Sequence, residues 1–451
     1  MAIDRTRLRP LLERERDTYA QRTPESRRLF EQADHLFGRV PMTWMNKWAG
    51  GYPMYLDTAH GNRVTTVDGH EFVDFALGDT AAMAGHSPEA TVAAVVARYG
   101  IKGGATTMLP TADAEWVAAD LTRRFGLPLW SFSLSATDAN RWAIRLARMV
   151  TGRPKIVSFS YSYHGSVDET FAVMDAAGDT ALRPGNVGAP GSITDTTRAA
   201  EFNDLESVER ALAHGDVAVI VTEPAMTNIG IVLPHDGFLA GLRELATKYG
   251  ALLLIDETHT FSVGYGGATR AWNLEPDIFT IGKSIGGGIP SGAYGISERV
   301  AEMVRHHAEA DLVDVGGVGG TLAGNALSTT AMRATLEHVL TESAFDHMIE
   351  LAAAFTVGVE RTFAEFDAPW SIQQLGARAE YRFTRPAPSN GTEAAAAHDD
   401  DLDEFLHIYM ANRGVLMTPF HNMALMCPTT SAVDVDLHTT LFRQAVSELA
   451  T

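Results

Sequence analysis

Three stretches of the chain are apolar without alternation: Val217 to Val221 in VAVIVTEP, Ala251 to Ile255 in ALLLIDE, and Ile278 to Ile281 in IFTIGK. A strand covered on one face alternates, so continuous runs predict parallel strands covered on both faces. Outside the runs the apolar period lengthens. Ala139, Trp142, Ala143, Leu146 and Val150 recur at three and four, predicting a helix opened by Asp138 after a strand that ends near Ser135. Residues 87–125, 237–249 and 297–311 read as further helical segments, and a long helix starts near Asn325. Upstream, GYPMYLDTAHGNRVTTVDGHEFVDFALG predicts short strands about a hairpin turn at Asp68-Gly69. Residues 4–36 space Leu8, Leu11 and Leu12 as an amphipathic arm, either solvated or docked on a partner subunit. Residues 170–205, rich in Gly, Asp, Thr and Pro, read as a long loop. RPAPSNGTEAAAAHDDD reads as a surface loop before a helix with Asp400, Asp401 and Asp403 in its first turn.

Ligands of parallel sheets collect beyond the carboxyl ends of the strands, and those ends carry Glu223, Asp256, Glu257 and Lys283. A lysine desolvated in a cleft can form a Schiff base, and pyridoxal phosphate needs such a lysine together with an acid for its ring nitrogen. Taken singly, either residue also fits a turn. Ser135, Ala136 and Thr137 lie at a helix amino terminus, where free N–H groups suit a phosphate; helix capping explains the same residues.

The whole stretch ALLLIDE followed by IGKSIGGGIPSGAYG resembles the class III aminotransferases of fold type I, particularly the branch with glutamate-1-semialdehyde aminomutase and the amine and β-amino-acid transaminases. The resemblance runs from about Gly61 to Leu449. It implies an α/β fold, with a mostly parallel central sheet flanked by helices on both faces and a smaller α+β domain. The expected domains are 1–60 (amino-terminal arm and part of the small domain), 61–325 (large, cofactor-binding) and 326–451 (carboxyl-terminal small domain). The implied cofactor is pyridoxal 5′-phosphate, with Lys283 as the Schiff-base lysine and proton carrier and Asp256 paired to the ring nitrogen. Ser135-Ala136-Thr137-Asp138 stands where the family usually has Ser-Gly-Thr-Glu, making the first three phosphate ligands. Tyr163, in KIVSFSYSYHG, is expected to stack on the cofactor, with His164 structural. Glu223 and Asn228 are expected near the cofactor. His259 stands where relatives carry Gln or Met, either touching the phenolic oxygen or serving as a core histidine. The loop at Gly317 to Leu322 lacks the third glycine and the preceding strand of a dinucleotide site. In the family such a loop crosses a dimer interface, so Gly320 and Thr321 are expected at the phosphate of the other subunit, in a homodimer with composite active sites.

A net charge of −20 argues against nucleic acid. Cys427 is the only cysteine, which leaves no intrachain disulfide or cysteine-cluster metal site, so no metal is expected. A charged amino terminus and the lack of any run of 18 apolar residues predict a cytoplasmic protein off the membrane. β-Amino-acid transaminases of the branch place arginines in stretches that correspond to Val40–Trp48 and Pro419–Met426. Here neither stretch has one; they offer Trp44, Met45, Phe420, Met423 and Met426. Arg378, alternating with Glu380 and Arg382 along a strand, is the choice for a keto-acid carboxylate. The expected activity is ping-pong transfer of an amino group from a hydrophobic primary amine or amino acid to an α-keto acid or aldehyde. The alternatives are a glutamate-1-semialdehyde-type 2,1-aminomutase or an amino-acid racemase. Against the aminomutase, the acid of its Y-E-A-G-F-type segment is read as replaced by Met423. A non-catalytic sensor of the same fold is disfavoured by Lys283, Asp256 and the phosphate cradle.

Overall fold

In the computed structural model, which describes residues 4–307 and 316–450, the apolar runs become the middle of a seven-stranded sheet. Its spatial order is Leu129–Ser133, Gly292–Ile296, Ile278–Ile281, Leu252–Asp256, Val217–Thr222, Lys155–Phe159 and Thr197–Ala200. All of these run parallel except Gly292–Ile296, which returns antiparallel from the turn after Lys283. Period-two geometry divides each strand between two layers. Leu252 and Leu254 join a cluster with Ala143, Ile144 and Ala147 of the helix Ala136–Thr151, whereas Leu253 and Ile255 join one with Leu242 and Ala246 of the helix Phe238–Tyr249. That double covering is why these strands carry no polar alternation. This unit comprises Glu89–Phe345 and Pro388–Ala396.

The other unit draws on the chain up to Pro88, on Asp346–Ala387 and on the chain from Ala397. Residues 61–88 thus fall in the smaller unit and 326–345 in the larger. Its two sheets join Leu56–His60, Arg63–Thr66, Glu71–Asp74 and Val415–Leu416 in one, and Ser371–Leu375, Arg378–Arg382 and Met423–Leu425 in the other. Asp68-Gly69 makes the turn between antiparallel neighbours, as the hairpin pattern predicts.

Within this unit the ring of His438 is fully buried. It lies 4.4 Å from Phe355 and 5.9 Å, stacked, from Phe442, and neither ring nitrogen has a hydrogen-bond partner among the described residues. Burial pushes it down to about 3, from 6.5. The unfolded chain therefore binds a proton that the folded chain refuses between those values, so this contribution to stability is complete above pH 6.5 and falls as the pH drops toward 3. By linkage the loss is about 3 kcal/mol at pH 4.5. His438→Leu should remove that increment. Urea midpoints of parent and variant that fell in parallel from pH 7 to 4.5 would discount the buried ring.

Five local expectations are revised. The arm forms helices Arg5–Arg22 and Pro24–Glu31, and the first lies on its own chain: Leu8, Leu12 and Tyr19 are buried, and Glu15 pairs with Arg413 while Arg16 pairs with Glu404. The helix read from Asp138 begins at Ala136, because Ser135 caps it through the Asp138 N–H. Residues 170–205 hold a small hairpin, Ala172–Met174 with Thr180–Leu182, and the edge strand Thr197–Ala200. The polar insert at 385–401 includes a helix, Gly391–Ala396, whose Gly391 and Ala394 are buried; Thr392 Oγ1 donates to Glu201 and Asn203 Nδ2 donates to the Ser389 carbonyl. The helix read over 297–311 is Glu298–Arg305, its last expected turn lying outside the described residues. No helix of the described residues is long and apolar enough to cross a membrane.

Candidate active site

Because the strands before Ser135, Tyr163, Glu223, Asp256 and Lys283 are parallel, all five residues emerge at one edge of the large sheet. Asp256 shares the parity of Leu252 and Leu254, so its carboxylate turns toward the helix Ala136–Thr151. There Asn140 Nδ2 donates to Asp256 Oδ2 at 2.8 Å, His164 Nδ1 meets the same oxygen at 2.9 Å, and the Thr258 N–H donates to Oδ1 at 3.0 Å. Thr280, on the same face of the neighbouring strand, donates through Oγ1 to Asn140 Oδ1 at 2.7 Å, and Asn140 Nδ2 also reaches the His164 carbonyl. Burial works to raise the Asp256 carboxyl, but the His164, Thr258 and Asn140 hydrogen bonds outweigh it and hold it at about 2. Asp256 is an ionised carboxylate sealed in the protein, a setting that calls for a cation.

Glu223 is buried beside it, and burial pushes its carboxyl up to about 7 against the opposing pull of His164 and the Thr227 hydrogen bonds. Glu257 faces away from this group; its carboxylate accepts from Thr260 Oγ1 and the Ala268 N–H, tying down the start of a short helix.

Lys283, two residues past the strand Ile278–Ile281, has φ 52°, in the left-handed region, and its Nζ lies 2.9 Å from His259 Nε2. The preceding Gly282 permits the close approach of this turn to the helix start: a Cβ there would lie 2.8 Å from the Ala136 N. Gly165, at φ +84°, packs against Thr137, where a Cβ would fall 2.7 Å from the threonine Cβ. The lysine turn, the Tyr-His-Gly turn and the helix amino terminus are thereby drawn together, and the leading N–H groups of Ala136 and Thr137 have no carbonyl one turn back. An amine, a sealed carboxylate and a helix amino terminus walled by small residues match the aldehyde, ring nitrogen and phosphate of pyridoxal phosphate.

The structure brings Ser135, Ala136, Thr137, Asp256, His259 and Lys283 onto these adjoining turns, with Glu223 on the next strand end. Tyr163 is half-buried, its ring edge-on to Phe171 at 6.4 Å, and Asn228 follows Glu223 in a backbone bridge to Gly230. Gly320 and Thr321 are exposed on a loop, and Gly317 of that loop lies against Arg145, on the outer side of the helix. Sequence reasoning missed Asn140 and gave His164 no part in holding Asp256. Asn140 carried a legible signal, a polar residue beside Ala139 and Ala143 on a buried helical stripe.

The four residues expected at the substrate belong to the smaller unit. Trp44 meets Phe420 edge-on at 5.8 Å and is 37% exposed, whereas Met423 and Met426 are fully buried and contribute core, not surface. Arg378 is also fully buried, its Nη2 against the Met423 sulfur. Counted from Pro419, the acid position of the Y-E-A-G-F-type segment falls on His421 and not on Met423. His421 Nδ1 lies 3.1 Å from Glu380 Oε1, so the neighbouring strand supplies a carboxylate there, and Oε2 of Glu380 is buried with no hydrogen-bond partner among the described residues.

The profile of the family Aminotransferase class-III matches residues 44–445. A glutamate-1-semialdehyde 2,1-aminomutase from Roseiflexus castenholzii is 33% identical over 408 residues, 88% of this chain and 91% of that protein. The crystal structure of a glutamate-1-semialdehyde-aminomutase from Pseudomonas aeruginosa PAO1 superposes with a TM-score of 0.95 at 47% identity, covering 100% of both chains, and a lysine-to-alanine form of it was solved in complex with PMP. An omega-transaminase from Sphaerobacter thermophilus superposes with a TM-score of 0.84 at 26% identity, covering 94% of this chain and 97% of that one.

Proposed function

The chain belongs to the class III aminotransferases, pyridoxal-phosphate-dependent enzymes, and on that premise we propose that it moves an amino group within one substrate, as a 2,1-aminomutase of an α-amino aldehyde such as glutamate 1-semialdehyde. The observation that carries this reading is the likeness, over nearly the whole chain, to aminomutases of that substrate. The comparisons back it better than the reading as a transaminase of hydrophobic amines. The Glu380–His421 pair adds support, since it returns a carboxylate to a segment whose acid is missing. In such a reaction the amino group leaves C2 for C1 and the carbonyl moves from C1 to C2, so substrate and product are isomers and no outside acceptor is used.

Pyridoxal phosphate, when bound, supplies an electron sink conjugated to the reacting carbon. Lys283 Nζ would hold the cofactor, and its free amine would take a proton from one substrate carbon and return it to the next atom that needs it. Asp256 keeps the proton on the ring nitrogen. Ser135 and the N–H groups of Ala136 and Thr137 would bind the phosphate, Tyr163 would cover the ring, and Glu223, Asn228 and His259 would line its polar edge.

The second reading, transamination of a hydrophobic primary amine with an α-keto acid or aldehyde, is favoured by the accessible Trp44–Phe420 edge and by the lack of arginine in the stretches Val40–Trp48 and Pro419–Met426. One assay separates the two. The purified, cofactor-loaded enzyme is given glutamate 1-semialdehyde alone, and in parallel an arylalkyl amine with pyruvate. Isomerisation without an acceptor is expected; turnover confined to the amine and pyruvate would reject the aminomutase.

A homodimer with composite sites follows from the exposure of Gly320 and Thr321, which would serve the phosphate of the other subunit. Val92, Val96, Tyr99, Ile101, Met108 and Leu109 are exposed in the same unit, apolar side chains that a second subunit would cover. Sedimentation should give a dimer, and a fully active monomer would refute this.

A further inference from the structure

We propose that His259 is the positioning residue of Lys283, holding the amine through Nε2 whenever that amine is not bonded to the cofactor. The contact is direct, 2.9 Å between Lys283 Nζ and His259 Nε2. Both partners stand on fixed backbone. His259 is 7% exposed and caps the short helix Thr260–Val263, its carbonyl accepting from the Ser262 N–H at 3.2 Å. Lys283 opens the short helix Lys283–Gly286 from a left-handed residue.

A lysine has a four-carbon stem with about 2 kcal/mol of rotamer entropy, so a freed amine disperses unless something selects one arrangement. An ammonium only donates, whereas a neutral amine also accepts. Imidazole answers both states at one atom: Nε2 accepts from the ammonium through its lone pair, or donates to the amine when it carries the hydrogen. The lysine that must alternate between acid and base therefore keeps one partner throughout. This differs from a contact to the cofactor's phenolic oxygen, which concerns only the loaded enzyme.

The inference rests on Lys283 being the cofactor-bearing lysine, and its test has an arm that needs no cofactor. In apoenzyme carrying ¹⁵N-histidine, the His259 Nε2 resonance, assigned by its loss in His259→Leu, should move when Lys283→Met removes the amine. In loaded enzyme, His259→Leu should lower kcat and the exchange of the substrate's reacting proton with solvent about 10- to 100-fold, the scale of a misplaced catalytic group, with KM within about threefold. His259→Gln, which can still accept and donate, should recover most of the loss. A His259 resonance indifferent to Lys283→Met, or a His259→Leu enzyme with unaltered proton exchange, overturns the proposal. Failure of the Lys283 assignment is read separately, by mapping the lysine that borohydride joins to the cofactor.

Discussion

Lys283→Ala is expected to abolish turnover and to leave no cofactor joined to the protein after borohydride reduction. Two losses combine in one substitution. Proton transfer by a positioned base contributes about 10²- to 10⁴-fold by itself, and loss of the covalent anchor removes the exchange through which the substrate amine enters. The other lysines of the larger unit cannot stand in. Lys155 lies at the opening end of its strand and pairs with Asp216, Lys248 pairs with Glu209 on the surface, and Lys102 is exposed at the end of the short helical segment Ala97–Lys102. The fold should survive, because alanine meets the left-handed φ of 52° at much the same cost as lysine, and the half-buried stem leaves no sealed cavity. The measurement is peptide mapping of reduced wild-type enzyme beside the variant's spectrum and rate. Cofactor found on any other lysine would end the assignment.

How far the site could be read from sequence depended on which residues had to know about one another. Strands covered on both faces must be apolar throughout, so VAVIV, LLLI and IFTI declared themselves, and Asp256 and Lys283 followed as the residues where each run stops. Asn140, His164, Asp256 and Thr280 come from three strand ends and a helix, and their meeting depends on parity in two strands and on helical phase together. No single segment shows that. The Glu380–His421 pair is of the same kind, set by the register that places Glu380 opposite Met423 on the next strand. Short elements were lost for a different reason. Thr197–Ala200 is four residues at a sheet edge, too brief to show a period, and the Gly391–Ala396 helix is buried because Gly391 lies against the Ser160 carbonyl, a contact far away in sequence. The small-domain arginine shows the limit of inference from residue type: Arg378 looked available along an alternating strand and is fully buried.

Asp256→Asn is the substitution that separates charge from shape. In the parent, Oδ2 accepts from both Asn140 and His164 and Oδ1 accepts from the Thr258 N–H, so every neighbour presents a donor. An amide of the same outline must turn its own NH₂ toward one of those donors, leaving either the Thr258 N–H unpaired or the Asn140 and His164 pair facing a donor. The carboxyl is held at about 2 against an ordinary 3.8, so its native contacts contribute stability above pH 3.8 that is lost as the pH falls through 2, about 2 kcal/mol in all. The variant should therefore fold with a loss of that order at neutral pH. Its rate should suffer more. With no negative charge opposite the ring nitrogen, the proton there is no longer held, and removal of one preorganised electrostatic group costs about 100- to 1,000-fold in kcat. Cofactor affinity should fall much less, since Lys283 and the helix amino terminus are untouched. A titration of apoenzyme with pyridoxal phosphate beside steady-state rates reads both quantities on one preparation. A variant that bound cofactor and turned over within about threefold of the parent would show that the sealed carboxylate serves only to hold His164 and Asn140 in place.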